Sequence, residues 1–321
     1  MEAQQYKKIS SNKVVPIEAL AEFERRYDGG ARDAVAEEKF DGSRFGVVKD
    51  LKGNFKFLST QLKDRTINVP DLVEALHELN IPNDTILDCE VVHLDAPKEL
   101  RWELSRSTMG TKAYNTDVER PHLVIFDCQR VNGIDLTTGE YRFIDRREVL
   151  KKFFEGKAML ENKTYTSYGK LALPELFTAN VFGALFLELH NDKGEGIMIK
   201  SLASTKYGKD WIKVKHRFTV DVIVTGATEG KNKYKGLIGA LELGMMNSDG
   251  EIISIGKCSG MSDEERQEFT KELPKVIEVT AFEVTKNLKL RHPAFMRVRD
   301  DKAQKRCKLK QLEEILNATG K

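Results

Sequence analysis

The sequence predicts an α+β fold over its first two thirds followed by a small β-barrel. Three observations carry this. Short runs rich in Val, Ile and aromatic residues, bounded by Gly, Asn or Asp, recur along all 321 residues, as strands do. Apolar spacing near the helical period is confined to a few stretches. Around His216–Asp221 the pattern restarts, and the remaining hundred or so residues hold about five strands and one internal helix, the inventory of a Greek-key barrel such as an OB-fold. The expected domains are therefore 1–218 and 219–321.

In chain order the strands are RFGVV after Ser43, FKFL after Asn54, TILDCEVVHL from Thr85, LVIFD from Leu123 and GIMIK from Gly196. WIKVK from Trp211, DVIVTG from Asp221, GALELGMM from Gly239, EIISIG from Glu251 and VIEVTAFEV from Val276 continue the series. Asn132-Gly133 reads as a tight hairpin turn, because both residues tolerate the positive φ that such turns need. Leu72–Leu79 and Arg142–Phe154 have helical spacing. Ser262 with Glu265 three residues on forms a capping-box signature for a third helix.

Composition excludes some classes. Charged residues make up 32% of the chain, and no run approaches the ~20 apolar residues of a membrane span. No secretory signal is visible at the N-terminus. The four cysteines form no CxxC pair, so spacing supports neither a zinc site nor a disulfide framework, and a reducing compartment is expected. The formal net charge is +2, yet Lys200–Arg217 carries a local +5 and Lys286–Lys310 a local +8. Asp71–Glu103 is the reverse, with nine acids against Lys98 and Arg101. Concentrated basic segments suit a polyanion on one side.

The sharpest motif is Lys39-Phe40-Asp41-Gly42-Ser43-Arg44, KxDGxR, just before a strand. It offers a nucleophilic amine, a glycine that admits close backbone approach, and an arginine fork shaped for phosphate. Lysine attacks only when neutral, so its pKa is expected to be pushed down from about 10.4 by burial or neighbouring positive charge. Arg44, Lys213, Lys215 and a divalent cation are the expected sources. Lys213 and Lys215 lie two apart on a strand and share one face.

These residues and their order resemble the ATP-dependent DNA ligases of compact type, within the covalent nucleotidyltransferases. The resemblance runs from Lys39 to Lys302. It implies an adenylation domain followed by an OB-fold, with Lys39 becoming adenylated. LDCEVV, LVIFD, EGIMIK, WIKVK and RVRDDK match successive family motifs. The resemblance thereby implies that Glu37, Arg44, Glu90, Phe126, Lys213, Lys215, Arg299, Asp301 and Lys302 contact the nucleotide. Phe126 is similar to the aromatic that stacks on adenine, Lys213 and Lys215 to the pair at the α-phosphate, and Arg299, Asp301 and Lys302 to the group at the pyrophosphate side. Glu90 and Glu195 are the implied Mg²⁺ carboxylates, and Lys231, Lys233 and Lys235 around Tyr234 form an implied DNA-backbone loop. ATP and Mg²⁺ are the implied cofactors and nicked duplex DNA the implied partner. A monomer in the cytoplasm of a bacterial or phage-infected cell is expected, with a hinge near His216–Asp221.

The sequence departs from the family in two ways. Where a Ser-Arg pair is usual it reads Leu58-Ser59-Thr60-Gln61, which leaves Arg65 or Arg106 as candidates for the missing arginine. With 38 residues before Lys39, no large N-terminal DNA-binding domain is expected. Singly, each residue has a plainer reading: an exposed strand-end Glu90, a core Phe126, lysines protecting an edge strand. Order and spacing give the set its weight. RNA ligases and capping-type nucleotidyltransferases are the alternative enzymes, and a non-catalytic OB-fold nucleic-acid-binding protein is the alternative of another class.

Overall fold

Strands of the first part of the chain are buried on both faces, which is why they read as continuous apolar runs rather than alternating ones. Thr85–Val92 and His122–Val131 are almost wholly buried. The computed structural model describes residues 14–15, 33–111, 119–208, 211–215 and 217–318. It divides into two compact units, Met1–Lys215 and His216–Lys321. His216, at the expected hinge, lies outside the described residues.

The first unit holds two sheets. One runs Phe55–Ser59, Ser43–Lys49, Thr85–Val92, His122–Val131, Leu171–Pro174, Tyr165–Tyr168, Leu160–Glu161, with Ile134–Asp135 paired to His122–Val131. The other runs Val14–Val15, Ile212–Lys215, Gly196–Ser201, Ala34–Glu38, Phe177–Thr178. Helices Pro70–His77 and Phe143–Phe153 bury Leu72, Leu76, Leu150 and Phe153 in a core shared with Phe45, Phe57 and Leu87. Each such side chain contributes about 1.5–3 kcal/mol by leaving water. The expected hairpin is present: Asn132 and Gly133 have φ of 46° and 82°, and Val131 pairs with Ile134.

Two helices of this unit lie outside the expected elements, although the first has readable helical apolar spacing. Phe182–Asn191 buries Phe182, Leu185, Phe186 and Leu189 against Ile197, Ile199 and Val214. Arg101–Gly110 buries Arg101, Ser105 and Thr108 beside Met109, so it lacks the apolar stripe that reveals a helix in sequence.

The second unit is a five-stranded barrel in the order Ile252–Cys258, Ile238–Met246, Phe218–Glu229, Val276–Ala281, Ala294–Val298. A parallel bridge between Ser259 and Ala294 joins the two ends, with the Phe295 N–H donating to the Ser259 carbonyl at 2.8 Å. Closure of this kind removes sheet edges. Helix Asp263–Lys271 sits between the third and fourth strands in sequence, and Ser262 and Glu265 form the expected reciprocal cap at 3.1 and 2.6 Å. Two expectations change. VIEVTAFEV is not one strand: it breaks at Phe282, and Glu283–Val284 pairs with Leu290–Arg291 in a separate ribbon. A terminal helix, Lys310–Ala318, adds Leu312, Ile315 and Leu316 to the barrel core.

Candidate active site

Four segments of the first unit meet at Lys39. Strand Ala34–Glu38 delivers it, and the Lys39 N–H donates to the Gly196 carbonyl at 2.9 Å. Gly42 then passes against strand Thr85–Val92 so closely that a Cβ would stand 3.0 Å from both Glu90 Cγ and Val92 Cβ and nearer still to the Val91 carbonyl oxygen. That close approach is the reason for glycine in the motif. Arg44 follows directly opposite Glu90 in the ladder. Gly196, at φ +137°, lets strand Gly196–Ser201 pair with Ile212–Lys215, with Gly196 opposite Lys215.

The convergence forms a cleft of about 280 Å³ whose lining includes Glu37, Lys39, Arg44, Glu90, Phe126, Trp211 and Lys213. Lys39 and Lys215 each pair with one oxygen of Glu195. Burial pushes the Lys39 amine down, but the Glu195 and Glu90 carboxylates outweigh it and hold its pKa above the ordinary value. This corrects the expectation of a depressed lysine. The expected cations do lie close, yet the two carboxylates govern the amine at rest. Burial lowers Lys213 and Lys215, helped in each case by repulsion from Lys39.

The two acids differ sharply. Burial would raise Glu195, but Lys39 and Lys215 overcome it and bring it to about 2. Burial, aided by repulsion from Glu195, pushes Glu90 up to about 8 against the pull of Lys39 and Arg44. Among the described residues no group of three or more His, Cys, Asp or Glu could hold a metal ion. Two converging carboxylates nonetheless fit Mg²⁺, which is held through one or two carboxylates plus water and phosphate oxygens. The strained Glu90 carboxyl is one that a cation would favour in ionised form.

Several supporting residues carry no signal in the sequence. Arg44 donates through Nε to Asp88 Oδ1 at 2.8 Å and through Nη2 to Oδ2, and Asp88 is fully buried. Tyr207 donates to the same carboxylate. Phe126, half-buried, has its ring edge-on to Trp211 at 6.1 Å and the Arg44 guanidinium over it at 5.5 Å. Lys200, visible in the sequence only as part of a basic segment, is buried beside Trp211, Phe143 and Phe126 at 4.2, 4.8 and 5.3 Å. It pairs with Glu37 Oε1. Glu37 Oε2 accepts no hydrogen bond among the described residues, leaving a buried acceptor beside the cavity.

The two candidates for the missing arginine come together. Arg65 and Arg106 line a second cavity of about 320 Å³ with Lys63, Thr60, Gln61 and Arg44. In the second unit, Arg299 donates to Asp221 and Asp301, and Lys302 to Asp221. Lys231, Lys233 and Lys235 are exposed around a 3-10 turn, with Lys233 over the Tyr234 ring at 4.4 Å. Chemically, the first unit presents an amine, the Glu37 and Glu90 carboxylates, the Arg44 and Lys213 cations and an aromatic wall around one cavity, with Glu195 and Lys215 paired behind the amine.

No helix among the described residues is long and apolar enough to cross a membrane. Comparison with known proteins agrees with the architecture. Residues 5–215 match the family model described as ATP dependent DNA ligase domain, and residues 229–299 match DNA ligase OB-like domain. DNA ligase 2 of Methanosarcina acetivorans is 28% identical over 324 residues, covering 88% of this chain and 55% of that protein. A DNA ligase of Thermococcus fumicolans is 29% identical over 307 residues, covering 84% and 52%. The chain thus spans about half the length of these curated relatives. A solved Lig E DNA ligase superposes with a TM-score of 0.59 at 18% identity, covering 92% of this chain and all of that one, a likeness of fold. With the ligase-domain model matched over more than half its residues, this chain belongs to the ATP-dependent DNA ligase family.

Proposed function

We propose that this chain seals nicks in duplex DNA, using ATP through a lysyl-adenylate on Lys39. The observation that carries the reading is the Lys39 amine, paired with Glu195, at a cavity lined also by Phe126, Trp211 and Lys213, with Lys215 on the other oxygen of Glu195. In the first step the Lys39 Nζ lone pair forms a bond to the α-phosphorus while the bond to pyrophosphate breaks. The amine must shed a proton to solvent beforehand, because Glu195, held at about 2 by Lys39 and Lys215, is too weak a base to keep it. Lys213 and Lys215 offset charge on the α-phosphate, in keeping with a phosphoryl transfer run by positioning and electrostatics. Glu90 and Glu195 would hold Mg²⁺, which supplies charge neutralisation to phosphate oxygens.

Phe126 forms the wall for adenine, and the unpartnered Glu37 oxygen offers an acceptor to its amino group. Arg44, locked to Asp88, serves the nucleotide sugar and phosphate side. Arg299 and Lys302 act on the pyrophosphate, with Asp301 holding the outer edge of the Arg299 fork until the anion arrives. The adenylate then passes to a 5′-phosphate, and the adjacent 3′-hydroxyl displaces AMP. Backbone contacts come from Lys231, Lys233 and Lys235 and from the cavity of Lys63, Arg65 and Arg106, which takes over from the absent arginine. We assign the Met1–Lys215 unit the adenylation role and the OB-fold unit the accessory one. A monomer in the cytoplasm completes the reading; the four buried free cysteines agree with a reducing environment.

The test offers a nicked 5′-labelled duplex with ATP and Mg²⁺, in parallel with RNA and hybrid duplexes. Sealing of the DNA nick that vanishes in Lys39→Ala is expected. Binding without sealing points to a non-catalytic module, preference for RNA points to an RNA ligase, and covalent labelling from GTP rather than ATP points to a capping-type enzyme.

A further inference from the structure

In the OB-fold unit, two cations from one turn meet on a single carboxylate. Asp221 lies in strand Phe218–Glu229, its side chain only 10% exposed. Arg299 Nη1 donates to both its oxygens, at 2.9 and 3.1 Å, and Lys302 Nζ donates to Oδ2. The other edge of the Arg299 fork, Nε and Nη2, donates to the two oxygens of Asp301, each at 2.8 Å. Backbone bonds fix the turn: the Arg299 N–H reaches the Val276 carbonyl at 2.9 Å, and the Lys302 N–H reaches the Arg299 carbonyl at 3.1 Å. The neighbouring carboxylate in the ladder, Glu278, stands opposite Asp221 and is held by Arg297 at 2.6 Å.

The two carboxylates on Arg299 are unequal. Asp301 is 69% exposed, so water competes for its bonds and an incoming anion can replace it. Asp221 is buried on a central barrel strand and short enough to be fixed by its backbone. This carboxylate gathers two cations, both converging on Oδ2. Carboxylate and phosphate oxygens accept the same charge-assisted bonds at similar lengths. Two donors already converging on one anionic oxygen are therefore spaced for a phosphate oxygen. Both cations keep about one fifth of their side-chain surface exposed, 19% for Arg299 and 20% for Lys302, so an anion can reach them.

We propose that Asp221 is a positioning residue for ATP: it holds Arg299 and Lys302 as a preset pair for the pyrophosphate-side oxygens. The inference rests on the ligase reading and extends it to a residue outside the motifs that carry the family resemblance. Because pyrophosphate leaves only in the first step, that step alone needs the pair.

The experiment uses the full chain, with Asp221→Asn and Asp221→Glu as variants and thermal unfolding as the check on folding. Three quantities are read: the rate of label transfer from α-labelled ATP to protein, the pyrophosphate concentration that half-maximally discharges the adenylated protein, and single-turnover sealing of a pre-adenylated nick without ATP. For Asp221→Asn, labelling falls about tenfold and the half-maximal pyrophosphate rises about as much, as expected when a preorganised charged group is removed. Sealing of the pre-adenylated nick stays within about twofold of wild type. Asp221→Glu keeps the charge but moves it by one methylene, so it folds normally and shows a smaller loss in the same two quantities; if the Asn variant unfolds, this one decides. Unchanged labelling and pyrophosphate dependence in a folded variant overturns the proposal. So does a parallel fall of all three quantities, the signature of a purely structural pair, and so does faster labelling, which would make Asp221 a restraint. A wild-type chain that takes no label from ATP instead removes the underlying ligase reading.

Discussion

Gly42→Ala places one methyl group where the chain has no room. The new Cβ would stand 3.0 Å from Glu90 Cγ and Val92 Cβ and closer to the Val91 carbonyl oxygen, against ordinary carbon separations of about 3.5–4.0 Å. The Val91 carbonyl belongs to strand Thr85–Val92, hydrogen-bonded on both sides in the large sheet, so the Lys39–Arg44 segment must give way by roughly 1 Å. Displacement on that scale costs about 100-fold in rate, near 2.7 kcal/mol of barrier. Overpacking destabilises the fold by about 1–3 kcal/mol. Gly110→Ala is the control, because its added Cβ meets nothing within 4 Å. The assay is the initial rate of covalent labelling from α-labelled ATP, with circular dichroism to confirm folding. A folded Gly42→Ala protein that labels within threefold of wild type would refute the argument that this glycine positions the amine.

Further outcomes are expected elsewhere. Tyr207→Phe removes a donor from the fully buried Asp88 and loosens Arg44; the loss is about 1.5–3 kcal/mol of stability with slower labelling, and unchanged melting and labelling would contradict it. Arg65→Ala with Arg106→Ala weakens nicked-DNA binding equally for all sequences and lowers the slope of log affinity against log salt by about one for each phosphate no longer neutralised, read by titration at several salt concentrations; an unaltered slope argues against a phosphate seat in that cavity. His122 is held down to about 4, chiefly by burial and then by Lys170. Because its folded pKa lies below the unfolded value of about 6.5, its contribution is complete above pH 6.5 and is lost as pH falls through 4. Urea unfolding across that window is expected to be less pH-dependent in His122→Phe than in wild type, and equal dependence would count against it.

How much of this was legible in the sequence depended on whether the signal is local. KxDGxR, the Asn132-Gly133 turn and the Ser262 cap are set by neighbours in the chain, and each turn or cap has the expected geometry. The barrel strands were visible through their β-branched runs and turn residues. The helix Arg101–Gly110 was hidden by its buried polar face, and the break at Phe282 by continuous β-propensity across it. The terminal helix had a readable signal in the spacing of Leu312, Ile315 and Leu316, masked by the surrounding basic residues.

The support of the site was not legible. Asp88 lies 44 residues from Arg44 and Tyr207 119 from Asp88; the sheet ladder brings the first two together, and a turn after strand Gly196–Ser201 brings the third. Lys200 was visible as charge, but its aromatic surroundings come from Phe126, Phe143 and Trp211 on separate segments. The carboxylates that govern the Lys39 amine are hidden in the sequence for the same reason. Sequence displays the nearby lysines, whereas the fold sets Glu195, 156 residues away, directly against the amine.

A covalent nucleotide on one lysine is the central claim, and peptide mapping by mass spectrometry of protein treated with ATP and Mg²⁺ tests it most directly. An increment the size of AMP on the peptide containing Lys39, discharged by added pyrophosphate, is the predicted result. No increment, or one carried by a different side chain, contradicts the account.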